Sequence, residues 1–349
     1  MGVQAADVPV LPDDAPTEGT AQVEPEHGSP APTWIPRRLL ALVGCGLALA
    51  ASAALTAARL LGLDAGTAVA LPMAGLPYVA AGTAIVALVL LGVKARCLAL
   101  VAAVLLGVEL AVVLPRFVPD ARDVPATAPR LRVATSNAYQ GRIDEAALVD
   151  LVRTARLDVL AVQEMTPDSA HALDGAGLRD LMPYRIVRPE ADTALYSRRP
   201  LIDARALDRP TTWPQVTAGI DVGGHVVRLV AVHTFYPAGD PRRWDLDLRA
   251  LRDEATETGA DAVLLGDFNA TLDHAPMRSL LDAGLVDSHA ELGRGWAPTW
   301  PAGRPTLPPL IQLDHVLHGD GLAAVSVEER TIQGTDHRTI VAELAVVDS

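Results

Sequence analysis

The chain has 349 residues, enough for one sizeable folded domain with further segments around it. Half of the residues are hydrophobic while only 4% are aromatic, and the surplus of Ala, Leu and Val lies early in the chain, which points to membrane segments. The net charge is −13, and residues 117–349 hold 23 Arg, no Lys and 34 Asp plus Glu, a balance that disfavours bulk nucleic acid as a partner; both cysteines, Cys45 and Cys97, fall in or beside apolar stretches, which excludes a disulfide framework or Cys-based zinc site from the later part.

Residues 1–36 are rich in Pro, Asp, Glu, Ala and Gly without apolar periodicity, and read as a disordered tail. Three apolar runs follow, Leu39–Ala58, Ala68–Val93 and Leu98–Leu114, which predict a three-helix membrane anchor over residues 37–114. Leu42-Val43-Gly44-Cys45 resembles a lipoprotein cleavage site, but the apolar stretch before it is too short for a signal core. Arg37-Arg38-Leu39-Leu40 resembles a twin-arginine signal, but two further apolar runs argue for a retained anchor. Arg37, Arg38, Lys94 and Arg96 mark one side of the membrane, against Arg59 and Arg116 on the other, so the positive-inside rule predicts an inside N-terminus and an extracytoplasmic C-terminal domain. Glu109 in the third run lies just before Pro115, which predicts a carboxylate reaching the interface. Residues 115–130, with four prolines, read as a linker, and a second folded domain occupies residues 131–349.

Within that domain, short apolar runs with β-branched residues predict strands at Leu131–Thr135, Val159–Val162, Thr193–Tyr196, Gly219–Val222, Val226–Val232, Ala262–Leu265, Leu313–Leu317, Val325–Glu329 and Thr339–Ala345. Helices are predicted at Asp144–Thr154, with Asp144 as its cap, at Asp245–Thr256 and at Met277–Asp282. Many strands with interspersed helices predict a layered α/β sandwich.

Polar residues gather at the ends of these strands: Asn137; Gln163 and Glu164; His233 and Thr234; Asp267 and Asn269; Asp314 and His315; and Asp336 with His337. Singly, each has a bland reading as a turn residue, a cap or a satisfied core histidine. Together, strand ends along one sheet edge can converge, and carboxylates with an amide hold a hard cation such as Mg²⁺ through oxygen while histidines move protons and contact phosphate.

These residues resemble the endonuclease/exonuclease/phosphatase superfamily, also called the DNase I-like fold. The resemblance rests on Thr135-Ser136-Asn137, Val162-Gln163-Glu164, the segment Ala194–Leu201, Val232-His233-Thr234, Gly266-Asp267-Phe268-Asn269, Leu313-Asp314-His315-Val316 and Thr335-Asp336-His337-Arg338. It covers about residues 131–346 with every motif in family order, and Gly266–Asn269 is the most specific match. The resemblance implies a DNase I-like two-sheet sandwich flanked by helices and a metal-dependent phosphoesterase. Glu164 then ligates Mg²⁺, or Mn²⁺, with Asn137 and Asp336 nearby; Asp267 handles the proton of the attacking water and Asn269 orients it; His337, supported by Asp314, and His233 contact phosphate oxygens. Tyr139 stands where some members carry a second acid, so the metal rests mainly on Glu164.

The three-helix anchor resembles membrane proteins of this family associated with glycopeptide-antibiotic resistance, which implies a phosphate ester or pyrophosphate that is lipid-linked, with the bilayer itself as partner. Trp213, Trp244, Trp296 and Trp300 are candidate lipid-touching residues, with ordinary packing the expectation for most of them. The alternatives are a membrane-tethered extracellular nuclease, kept open by Arg242 and Arg243, and a binding module that has lost catalysis, against which the intact acid and histidine set argues.

Overall fold

The computed structural model describes residues 37–188 and 192–347; the tail expected over residues 1–36 lies outside them. The apolar runs fold into helices α1 (Arg37–Leu61), α2 (Ala70–Met73), α3 (Leu76–Gly92) and α4 (Arg96–Val113), the last continued by a 3₁₀ turn at Leu114–Phe117. Two helices, Arg37–Leu61 and Arg96–Phe117, are long and apolar enough to cross a membrane. The second run differs from the expected single span. Pro72 and Pro77 each lack a backbone N–H, and the helix breaks between them into the four-residue α2 and the 17-residue α3.

The bundle also corrects the expectation for Glu109. Its carboxylate is buried rather than at an interface. One oxygen, Oε1, accepts hydrogen bonds from Ser52 Oγ (2.5 Å), Thr56 Oγ1 (3.1 Å) and Thr83 Oγ1 (3.3 Å), tying α1, α3 and α4 together. Three nearby hydroxyls on neighbouring helices satisfy a carboxylate oxygen better than an apolar surface does.

The remainder is a sandwich of two six-stranded sheets. The first half supplies β1 (Arg130–Asn137), α5 (Glu145–Thr154), β2 (Val159–Gln163), α6 (Pro167–Gly175), α7 (Leu178–Leu181), β3 (Tyr184–Arg188) and β4 (Thr193–Ser197). Then come β5 (Leu201–Ala206), β6 (Val216–Val222), β7 (His225–His233), α8 (Pro241–Thr258), β8 (Ala262–Asp267), α9 (Ala275–Asp282), β9 (Val286–Asp287), α10 (Ser288–Glu291), β10 (Asp314–His318), β11 (Leu322–Thr331) and β12 (Arg338–Val346). The sheet orders are β11-β12-β1-β2-β4-β3 and β5-β6-β7-β8-β10-β9.

Alternation along the strands decides which layer each side chain joins. Val133, Ala161, Leu229, Leu265, Val316 and Ile340 fill the core between the sheets. Their neighbours Ala134, Leu160 and Val162 face outward onto Leu148 and Val152 of α5, and Val230, Val232 and Leu264 face outward onto Trp244, Leu248 and Met277 of α8 and α9. Strands buried on both faces read as continuous apolar runs, which is why these were the legible ones. Asp144 caps α5 as expected, accepting from Ala147 N–H at 3.0 Å. Edge strands β3 and β5 were not expected. Every residue of β5 after Leu201 is exposed, so no apolar pattern announces it.

The helical bundle is docked on the sandwich by polar contacts. Arg116 Nη2 lies 2.7 Å and Arg59 Nε 3.5 Å from the buried Asp273 carboxylate. Asp64 Oδ2 accepts from Ala275 N–H (2.7 Å), Arg278 Nη2 donates to Arg59 O (2.8 Å), and Tyr78 Oη donates to Leu310 O (2.7 Å). The C-terminal end of α1, α2 and the N-terminal end of α3 therefore all sit against the sandwich.

Candidate active site

Each sheet contains one parallel strand pair, β1–β2 in the first and β7–β8 in the second. Parallel strands end together, so their C-terminal residues are delivered side by side. Asn137 pairs with Gln163, one residue before Glu164; His233 pairs with Asp267; and β10, antiparallel to β8, sets Asp314 opposite Asp267. Gly266 makes this register possible. Its φ is +155°, and a Cβ there would lie 1.9 Å from Val232 O on the adjacent strand. Glu164 and Asn269 leave their strands with φ of +51° and +46°, an uncommon conformation that turns the chain sharply at the site.

All eight expected residues come together. Glu164, His233, Asp267, Asn269, Asp336 and His337 line one cleft of about 680 Å³. Asn137 and Asp314 stand just behind it. Asn137 Nδ2 donates to Glu164 Oε1 (3.0 Å) and Asp267 Oδ2 (3.1 Å), while its Oδ1 accepts from Tyr139 N–H (2.8 Å). Here Asn137 presents donors to the carboxylates; its oxygen is already engaged. Asp267 Oδ1 accepts Asn269 N–H at 2.9 Å, and Asn269 Nδ2 donates to Thr234 O at 3.1 Å, fixing the side chain. His337 Nδ1–H donates to Asp314 Oδ2 at 2.8 Å, leaving Nε2 3.8 Å from Asp267 Oδ2.

The electrostatics follow from burial and crowding. Burial pushes the Asp267 carboxyl up, and Asp314 adds to it while the His337 and His233 charges oppose it, for a value of about 6. Burial disfavours the His337 imidazolium, but Asp314, Asp267 and Asp336 outweigh it and raise the ring to about 10. His233 is likewise raised against its burial by Asp192, Asp267 and Glu164. Its Nδ1 lies 3.3 Å from Asp192 Oδ2, and its ring stacks on Trp213 with centroids 4.7 Å apart.

The donor set fits a hard cation. Asp314 Oδ1 and Asp336 Oδ1 are buried without a hydrogen-bond partner, and uncompensated carboxylate oxygens of this kind suit Mg²⁺ or Mn²⁺. Asp267, Asp314 and His337 also bring potential ligand atoms within 4.8 Å of one another. There, however, the imidazole is already bonded to Asp314, as in an acid–imidazole pair, so Glu164 and Asp336 remain the better candidates for metal.

Three features of the cleft had no signal in the sequence. Asp192 lies just before β4 in no motif. Trp300 Nε1 donates to Asp336 Oδ2 at 3.2 Å, orienting that carboxylate. Most distant is α2: Ala70, Leu71 and Ala74 line the cleft, and Ala70 O accepts from His274 Nε2 at 2.9 Å. Of the tryptophans, Trp244 is fully buried as expected for packing, whereas Trp296 is 47% exposed and meets Tyr78 edge-on.

Residues 134–337 match the profile of the Endonuclease/Exonuclease/phosphatase family. Among solved structures, the endonuclease/exonuclease/phosphatase from Beutenbergia cavernae DSM 12333 is 19% identical, with 62% of this chain and 72% of that one covered and a TM-score of 0.50. The D. rerio TDP2 complexed with single strand DNA product is also 19% identical, over 62% of this chain and 99% of that one, with a TM-score of 0.53. At such identities the likeness is one of fold. A comparison with curated proteins gives no match.

Proposed function

The chain belongs to the endonuclease/exonuclease/phosphatase family, and from that premise we propose that it is a divalent-metal-dependent phosphoesterase that hydrolyses a phosphate ester or pyrophosphate of a lipid-linked substrate at the membrane surface. The observation that carries the lipid reading is the composition of the cleft. One part of the lining is ionic, built from Glu164, His233, Asp267, Asp336 and His337; another is apolar, with Ala70, Leu71 and Ala74 from between α1 and α3 joined by Leu313 and Ile311. An apolar wall supplied by the anchor suits an amphiphile whose head is phosphorylated. The net charge of −11 over residues 117–349 opposes a long polyanion.

Glu164 and Asp336 would hold the metal, which when bound neutralises the phosphoryl oxygens as a Lewis acid. Asp267, with a value of about 6, is ionised at neutral pH and takes the proton of the attacking water. Asn269, fixed by Thr234 and Asp267, orients that water. His337, kept protonated by Asp314, presents Nε2–H to the charge that develops on the phosphoryl group, and His233, whose ring is raised by Asp192, Asp267 and Glu164, offers a second imidazole donor.

The orientation reading is an outward-facing catalytic domain. Arg37, Arg38, Lys94 and Arg96 are exposed at the bundle end away from the sandwich, whereas Arg59 and Arg116 at the near end are paired with Asp273. The cations at the far end thus dominate the positive-inside bias. A reporter fused after Ser349 should be active outside the cytoplasm; activity only inside reverses the topology.

The function is tested on the full chain in nanodiscs with Mg²⁺ or Mn²⁺, assayed in parallel on undecaprenyl pyrophosphate, a phospholipid panel and DNA. Phosphate release from a lipid-linked substrate, lost in EDTA, is the expected result. Hydrolysis of DNA alone, or full activity in EDTA, would overturn it.

A further inference from the structure

A second cavity of about 550 Å³ opens in the helical bundle between α1 and α3. Val69 and Pro72 line its end nearest the sandwich, while Ala70 and Leu71, between them in sequence, line the catalytic cleft. The short helix α2 is thus a shared partition. From this arrangement we propose that the groove between α1 and α3 is the tail subsite of the enzyme: the hydrocarbon chain of the lipid-linked substrate crosses α2 and lies in the groove while its phosphorylated head occupies the cleft. This rests on the lipid-linked reading of the cleft and names the residues that would select the lipid.

The groove has the chemistry of a hydrocarbon sleeve. Ala48, Ala51, Ala54 and Ala58 recur every three or four residues, so they share one face of α1 and leave room for a chain. From Ala48 to Ala58 the helix rises about 15 Å at 1.5 Å per residue, a length suited to an extended chain rather than a headgroup. Among the described residues that line it, the polar side chains are Ser52 and Thr83; each directs its one hydroxyl proton to Glu109 Oε1, their oxygens 2.8 Å apart, so they ask nothing of an occupant. Adjacency to the cleft across α2 favours the substrate's own tail over a helix of a second copy, which would have no reason to end beside the active site.

Gly82 on α3 lines the groove, and a Cβ at that position would meet nothing within 4 Å. Gly82→Leu therefore places its side chain in the groove from an unobstructed Cβ and with better helix propensity. Gly107 on α4 is equally open but does not line the groove, so Gly107→Leu is the matched control. The full-length protein in nanodiscs is assayed on polyprenyl or alkyl phosphates of increasing chain length and on a short, water-soluble phosphate ester. The ratio of kcat/KM for long over short chains should fall by about tenfold or more in Gly82→Leu, the equivalent of two methylene groups denied burial, with a smaller fall in Gly82→Ala and none in Gly107→Leu. A diazirine placed in the tail of a long-chain phosphate should label α1 and α3, and Gly82→Leu should reduce that labelling. An unchanged ratio in Gly82→Leu overturns the subsite while leaving the lipid reading standing. A wild-type enzyme with no chain-length preference defeats both. Loss of self-association in Gly82→Leu with an unchanged ratio assigns the groove to a second copy and also overturns the proposal.

Discussion

The two walls of the cleft are held in place by different physics. The ionic wall is assembled from strand ends that span residues 137 to 337, and its groups have named partners: Glu164 and Asp267 have Asn137, His337 has Asp314, Asp336 has Trp300, and His233 lies beside Asp192. The apolar wall is built on the four-residue helix α2 together with Ala74, Ile311 and Leu313, and α2 is placed by a hydrogen bond from His274 and by the ion pairs that dock the bundle. Buried charge is costly unless every neighbour compensates it, so that wall requires the whole sandwich. An apolar wall asks only for position. Chemistry should therefore depend on the first wall for every substrate, and substrate choice on the second.

The largest effect is expected on the ionic wall. Asp267→Ala and His337→Ala should each lower kcat by roughly 10²–10⁴-fold on long-chain and short water-soluble substrates alike. The two losses should not add in the double variant, because both groups act on one step. A steady-state comparison on both substrates checks this. A variant that lost only the long-chain activity would blur the division between the walls.

Asp273→Ala attacks the placement of the apolar wall instead. It leaves Arg59 and Arg116 without their shared, buried carboxylate, a change that costs about 3–5 kcal/mol where a buried pair is broken. Thermal unfolding in nanodiscs should show the loss, and long-chain turnover should fall more than short-chain turnover. Equal falls on both would mean that the docking supports the ionic wall as well.

Titration offers a milder test. In EDTA-treated protein, His337 has a folded-state value of about 10 against 6.5 for a free ring. A raised value stabilises the fold fully below about 6.5 and ceases to do so as pH climbs through about 10. Stability should therefore decline from pH 7 to 10, and His337→Gln should flatten that decline. Substitutions at Leu71, which carries no titratable group, should leave the slope unchanged.

The same contrast explains what the sequence made legible. The ionic wall could be read because its members sit at the ends of strands with buried apolar runs, so Val230–Val232 announces His233 and Val263–Gly266 announces Asp267. The apolar wall could not, since Ala70 and Leu71 look like any residues in an apolar run, and Ala70 meets His274, 204 residues away, only in the folded state. Asp192 was missed for the same reason, lying before β4 with its partner His233 on another sheet. Glu109 was misplaced because nearness to Pro115 suggested an interface, whereas Ser52, Thr56 and Thr83 become its partners only when three helices pack. Edge strand β5 carries polar, exposed side chains, so its pattern is that of a loop.

Leu71 gives the finest discrimination between the walls. Its side chain is 51% exposed at the cleft, so truncation to Ala removes little packing from the folded protein, and stability should stay within about 0.5 kcal/mol of wild type. If a hydrocarbon chain crosses α2, however, the lost carbons would have been covered by it, at ~0.8 kcal/mol for each methylene that both partners fail to bury. KM for the long-chain substrate should then rise a few-fold, while kcat and the kinetics of the short ester stay put. Leu71→Glu should raise that KM further, because a carboxylate in the path of the chain must be desolvated. A long-chain KM indifferent to both substitutions would show that the apolar wall faces solvent during turnover, and that selectivity lies elsewhere on the cleft.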